Sequence, residues 1–135
     1  MERATRTLVR TRARNCCEYC LLPQDSSSLK HHIEHVVPRQ HGGSDDQGNL
    51  ALACHRCNLR KGPNLTGIDP ITREIVPLFD PRHDRWLEHF RFRGPVIEGL
   101  SAVGRTTVRV LSMNDTRRIE RRELLAPASD AGDGA

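Results

Sequence analysis

Large aromatic side chains are scarce in this chain: three phenylalanines, one tyrosine and one tryptophan among 135 residues. Apolar residues make up only 36%. The core should therefore be thin, and a domain of this size with so few large side chains is expected to lean on a metal or disulfide staple. Lysine is nearly absent as well, with two lysines against 19 arginines. Guanidinium groups suit bidentate contacts to phosphate, although an arginine-rich composition throughout the chain accounts for the count equally well. No apolar run approaches the roughly 20 residues of a membrane span. Segment 1–14 carries five arginines with no apolar run behind them, so no secretory signal peptide is expected. The expectation is a cytoplasmic protein with no membrane contact. In that reducing compartment, five cysteines point to metal binding rather than disulfides. A net charge of +4 and a pI near 9.1 fit a phosphate-bearing partner.

Along the chain, residues 1–14 read as a basic, helical lead-in, with Val9, Ala13 and Cys17 at spacings of four. Residues 29–37 have strand character and stop at Pro38. A loop built on Gly42-Gly43 and Asp45-Asp46 follows. Asn49 is expected to cap a short apolar run, 50–53, that reads as helical. Helix or cysteine turn is expected over 54–61, ended by Gly62-Pro63. Beyond it, 66–72 reads as a turn, 74–79 as an edge strand limited by Pro77, and 84–90 as a short helix or turn around Trp86. Residues 92–100 read as a hairpin, 104–111 as strand or helix, and 113–125 as a charged helix capped by Asn114 or Asp115. Trp86, Phe79 and Phe90 are expected to form a small accessory core. The organisation is thus a lead-in at 1–14, a core at 15–65, an accessory region at 66–126 and a disordered tail at 127–135.

The most informative feature is the cysteine pattern. Cys17-x-x-Cys20 and Cys54-x-x-Cys57 lie 33 residues apart. Two such pairs build a tetrahedral Cys₄ zinc site, each pair placing two thiolates on one tight turn. A closed four-thiolate site has no open position, so this Zn²⁺ is structural. Cys16 is left as a free thiol.

Between the pairs lie His31-His32-Ile33-Glu34-His35-Val36-Val37-Pro38, then the double glycine, then Asn49. A ribbon used only for binding has no need of an acid–histidine pair, a double glycine and an asparagine. On a strand, Glu34 and His35 leave opposite faces unless the strand ends or twists there. The carboxylate can then bind a cation while the imidazole addresses water from another side. The amide oxygen of Asn58, directly after the last cysteine, offers a second hard ligand, and such a pair suits Mg²⁺ or Mn²⁺. Among the remaining histidines, His32 is expected to pack or hydrogen-bond within the strand. His41 is read as a surface residue or a phosphate contact, and His55 as solvent-facing.

The CEYC turn, IEHVVPRQHGG, NLALACHRCN and the trailing RKG occur in that order, and segment 17–61 resembles the HNH endonuclease family. The resemblance implies a small α+β protein: a ββα-metal nuclease core stapled by zinc, with a short C-terminal accessory α/β extension. It implies His35 as general base, Asn49 as the residue steadying the loop and the base, and Glu34 and Asn58 as ligands of the catalytic ion. The last signature position, usually histidine, is asparagine here. Products with 5′-phosphate and 3′-hydroxyl ends are implied. Arg39, Arg56, Arg60 and Lys61 are the expected nucleic-acid contacts. The leading expectation is a metal-dependent endonuclease acting on DNA, as a monomer or a homodimer. The alternatives are a nuclease acting mainly on RNA and a non-catalytic zinc module that binds nucleic acid or a protein.

Overall fold

The computed structural model describes residues 1–125, so the tail expected at 127–135 lies outside the described residues. Helix α1 (Arg3–Arg12) opens the chain and buries Val9. A loop carrying the first cysteine pair leads to β1 (His32–His35), which pairs antiparallel with β2 (Leu50–Ala53), Glu34 opposite Ala51 and His35 opposite Leu50. Helix α2 (His55–Lys61) follows at once, completing a ββα unit. The mixed architecture with its clustered cysteines is the α+β core expected of an HNH domain.

The helical reading of 50–53 is corrected here. Leu-Ala-Leu-Ala is buried on both faces. Leu50 and Leu52 pack with Val9 beneath α1, while Ala51 and Ala53 face the cluster that holds the cysteines. Four residues are too few to show a period of 3.6, and pairing with β1 decides the outcome. Asn49 accordingly caps no helix. Its side chain accepts from Val37 N at 2.9 Å and donates to Val37 O at 2.9 Å and Ser44 O at 2.8 Å, tying off the loop between the strands. The double glycine has a steric cause in the same loop. Gly42 sits at φ +89°, and a Cβ on Gly43 would lie 1.6 Å from Val37 O.

The second half packs against this unit. Residues 66–72, expected as a turn, begin with strand β3 (Thr66–Ile68), paired with β4 (Ile75–Pro77). The turn is confined to the residues between them, with Arg73 N donating to Asp69 O at 2.8 Å. Helix α3 (Trp86–His89), the hairpin β5 (Phe90–Arg93) and β6 (Val96–Gly99), helix α4 (Ala102–Val110) and helix α5 (Thr116–Leu125) complete the chain. Ser101 caps α4 by accepting from Gly104 N at 3.0 Å, and 104–110 is helix rather than strand. Asp115 caps α5 through Arg118 N at 2.9 Å, while Asn114 pairs with the backbone of Ile97.

The few aromatics are spent at the junction of the halves. Phe79 and Trp86 each lie 5.1 Å from Phe90, centroid to centroid. Tyr19 meets Phe79 edge-on at 6.3 Å, and the Trp86 indole donates to Tyr19 O at 2.8 Å. One continuous core runs from the cysteines through Phe79 and Phe90 to Leu111 and Met113.

Candidate active site

The cysteine quartet assembles as its spacing requires. The Sγ atoms of Cys17, Cys20, Cys54 and Cys57 lie within 4.8 Å of one another, all four residues buried. Each pair forms a knuckle: Cys20 N donates to Cys17 Sγ and Cys57 N to Cys54 Sγ, both at 3.4 Å. Burial pushes the Cys17 and Cys57 thiols up, while hydrogen bonding with Cys17 pulls Cys20 and Cys54 down. Such a cluster can hold a metal ion such as zinc. Cys16 stays outside it. A residue that sequence reasoning did not connect with the cysteines completes the surround. Arg118, on α5, donates to Cys57 Sγ at 2.9 Å and lies 3.9 Å from Cys54 Sγ. Burial opposes its charge, and the sulfurs of Cys57 and Cys20 outweigh that and hold the guanidinium protonated.

Next to this cluster, α2 lies along one face of β1. On the strand, His32 and Glu34 share a parity, and on the helix, His55, Asn58 and Lys61 recur at intervals of three. The two rows meet at both ends. His32 Nε2 is 3.2 Å from His55 Nδ1. Lys61 Nζ is 3.4 Å from Glu34 Oε2 and donates to Val36 O at 3.0 Å. Asn58 stands between those contacts, half-buried, and its amide makes no hydrogen bond to another described residue. His55, expected to face solvent, is therefore one half of an imidazole pair.

Glu34 is 6% exposed. It accepts from the Tyr19 hydroxyl as well as pairing with Lys61. Burial pushes its carboxyl up, and the Lys61 ammonium and Tyr19 hydroxyl oppose that. Lys61 is a correction. Expected at a nucleic-acid surface, it is 2% exposed, with its ammonium spent on Glu34 and on the strand-end carbonyls.

His35, the last residue of β1, has the opposite parity to Glu34. Its Nε2 lies 2.7 Å from Asp45 Oδ1, and Arg39 grips both Asp45 oxygens at 2.8 and 2.9 Å. Hydrogen bonds from His35 and then Arg39 hold the Asp45 carboxyl below its usual value. Asp45 was not singled out from sequence, since nothing local shows that the loop folds back onto His35. Among the other expected nucleic-acid residues, Arg39 is engaged with Asp45 yet remains 68% exposed at its side chain. Arg56 lies 3.8 Å from Asp115, and Arg60 is exposed.

Residues 17–64 match the family model described as HNH endonuclease. The chain is similar to the Septu protein PtuB of Bacillus thuringiensis, 29% identical over 107 residues that make up 78% of this chain. It spans 39% of that relative's length. No solved structure matches significantly.

Proposed function

We propose that this chain, whose residues 17–64 match the HNH endonuclease family model, hydrolyses phosphodiester bonds in DNA by metal-assisted activation of water at the β1–α2 cleft. The observation that carries the reading is the row of contacts that brackets Asn58 between His32–His55 and Glu34–Lys61, next to the cysteine cluster. Four buried thiols at knuckle spacing fit structural Zn²⁺.

The donors expected to hold a catalytic ion are the oxygens of Glu34 and Asn58, with the His32–His55 pair beside them. The Glu34 carboxylate is held in one orientation by Tyr19 and Lys61, and the Asn58 amide has no protein partner among the described residues. A carboxylate with an amide oxygen fits a hard cation of the Mg²⁺ or Mn²⁺ type. Held there, such an ion would neutralise charge on the scissile phosphate and its leaving oxygen.

The remaining work belongs to His35 and its loop. The contact with Asp45 assigns the imidazole tautomer: Nε2–H donates to the carboxylate, leaving the lone pair on Nδ1. Nδ1 takes a proton from water as the water oxygen attacks phosphorus and the bond to the 3′ oxygen breaks. Asp45 faces the imidazolium that results, and Arg39 keeps Asp45 in place. Asn49 holds the loop that carries Asp45 by bridging Val37 and Ser44. The products carry a 5′-phosphate and a 3′-hydroxyl.

One observation favours a second reading. Both Glu34 oxygens already have protein partners, as they would in a purely structural ion pair within a non-catalytic zinc module. Incubating the chain with plasmid DNA and with a structured RNA, with and without Mg²⁺ or Mn²⁺, separates the readings. The nuclease reading expects metal-dependent strand scission of DNA that N58A reduces strongly. Absent scission favours the binding module, metal-independent scission removes the ion from the mechanism, and cutting confined to RNA reassigns the substrate.

A further inference from the structure

The arginines of α1 are placed by helix geometry. Arg3, Arg6 and Arg10 recur at three and four residues, so they share a side of the helix and span about 10 Å of its axis at 1.5 Å per residue. Val9, about a quarter turn round the helix from them, enters the core. The arginine side faces the start of β1, whose outer edge pairs with no other strand among the described residues. Between them lies an open groove of about 670 Å³ lined by Arg3, Arg6, Arg10, Lys30, His31 and His32, among others. Arg10 forms part of its wall, donating to His31 O at 2.9 Å. None of the ion pairs among the described residues involves Arg3, Arg6, Arg10 or Lys30. A chain with a net charge of only +4 thus concentrates four uncompensated cations in one groove.

We infer that this groove binds the phosphate backbone of duplex DNA and leads it into the cleft. The lining has no Phe, Tyr or Trp, so it lacks the stacking platform that single-strand binding uses. Guanidinium and ammonium groups along a helix face suit a backbone, and contacts of this kind position a duplex without reading its sequence. Continuity with the cleft comes from His32, which lines the groove and also meets His55 at the near end of the row that brackets Asn58. Glu34 follows two residues further along the strand, about 7 Å away at 3.3 Å per residue. The inference rests on the nuclease reading for the identity of the polyanion, but its test is binding rather than cutting.

The test is fluorescence anisotropy with a labelled DNA duplex of about 20 base pairs, titrated across a series of KCl concentrations. The full chain is used in an H35A background without added Mg²⁺ or Mn²⁺, so scission plays no part. R3A/R6A removes two exposed groove arginines and spares Arg10, which supports the strand. R117A/R121A removes two exposed arginines that line the smaller basic hollow beside Cys20 and serves as the matched control. Each phosphate contact contributes about 0.9 to the slope of log K against log salt. R3A/R6A is expected to lower that slope by about 2 and to weaken binding about tenfold at 0.1 M salt, with R117A/R121A close to the parent. Circular dichroism establishes that both variants remain folded. An unchanged slope in R3A/R6A, an equal loss in R117A/R121A, or a groove-dependent slope seen only with an RNA duplex would overturn the inference. If the parent nicks DNA while R3A/R6A binds normally, the groove fails and the nuclease reading stands. If R3A/R6A loses binding but the parent never cuts, the nuclease reading fails and the groove stands.

Discussion

Replacing Lys61 by methionine keeps the aliphatic stem and deletes the ammonium. The side chain is 2% exposed and its charge serves Glu34 Oε2 at 3.4 Å, Val36 O at 3.0 Å and His35 O at 3.4 Å. Removing one partner of a buried pair strands the other, at a cost of about 3–5 kcal/mol. Replacing both by neutral groups of similar size removes the stranded charge, so E34Q/K61M should be more stable than K61M by at least about 1–2 kcal/mol. Urea unfolding followed by circular dichroism reads the difference in midpoint, and the melting temperature of K61M should fall by roughly 10–20 °C. The pH dependence has a definite sign. Burial raises the Glu34 carboxyl above its usual 4.5, so its ionisation costs stability as pH rises through the folded-state value. Deleting Lys61 removes the main opposing influence, so the K61M defect should be larger at pH 8 than at pH 5. Added Mn²⁺ should also stabilise K61M more than the parent, because the freed carboxylate gains a cation. A K61M loss below about 1 kcal/mol, or no recovery in E34Q/K61M, would refute the buried-pair argument.

Three other perturbations follow from the same geometry. C54S should lose zinc, measured by elemental analysis, and unfold the domain, since structural zinc contributes on the order of 10–16 kcal/mol of folding free energy in small metal domains; a folded C54S with full zinc contradicts the Cys₄ assignment. R118M removes the donor to Cys57 Sγ and should release zinc to a chelator roughly tenfold faster, in line with the 10–100-fold typical of groups that support metal ligands; an unchanged rate refutes it. D45N should lower the cleavage rate by roughly tenfold to a hundredfold, part of the 10²–10⁴ that base catalysis supplies, and should move the acidic limb of the pH–rate profile with little change in KM. A D45N profile that superimposes on the parent would falsify the orienting role of Asp45.

What was legible in the sequence was whatever local spacing determines. The two cysteine pairs meet because each is a self-contained knuckle. The tracts of strand character at 29–37 and helix at 54–61 contain β1 and α2. The double glycine marks a loop whose backbone crosses Val37 too closely for any Cβ. What failed depended on partners distant in the chain. Leu50 to Ala53 became a strand because β1 was there to pair with and α1 to cover it. Lys61 looked like a surface cation at the end of a basic helix, and the carbonyls of His35 and Val36 drew it inside. Arg118 sat among five other charged residues of α5, and only the tertiary fold turns it toward the sulfurs. Asp45 and His35, ten residues apart, meet because Asn49 closes the loop between them.

Conversion of supercoiled plasmid to nicked or linear form, with Mg²⁺ or Mn²⁺ across pH 6–9, tests the central claim most directly when the parent chain is run beside H35A. That range brackets the ordinary histidine pKa near 6.5. The account predicts metal-dependent conversion by the parent, with a rate roughly 10²–10⁴ lower in a folded, zinc-loaded H35A. Equal conversion by both, or none by either at any pH with either metal, contradicts it.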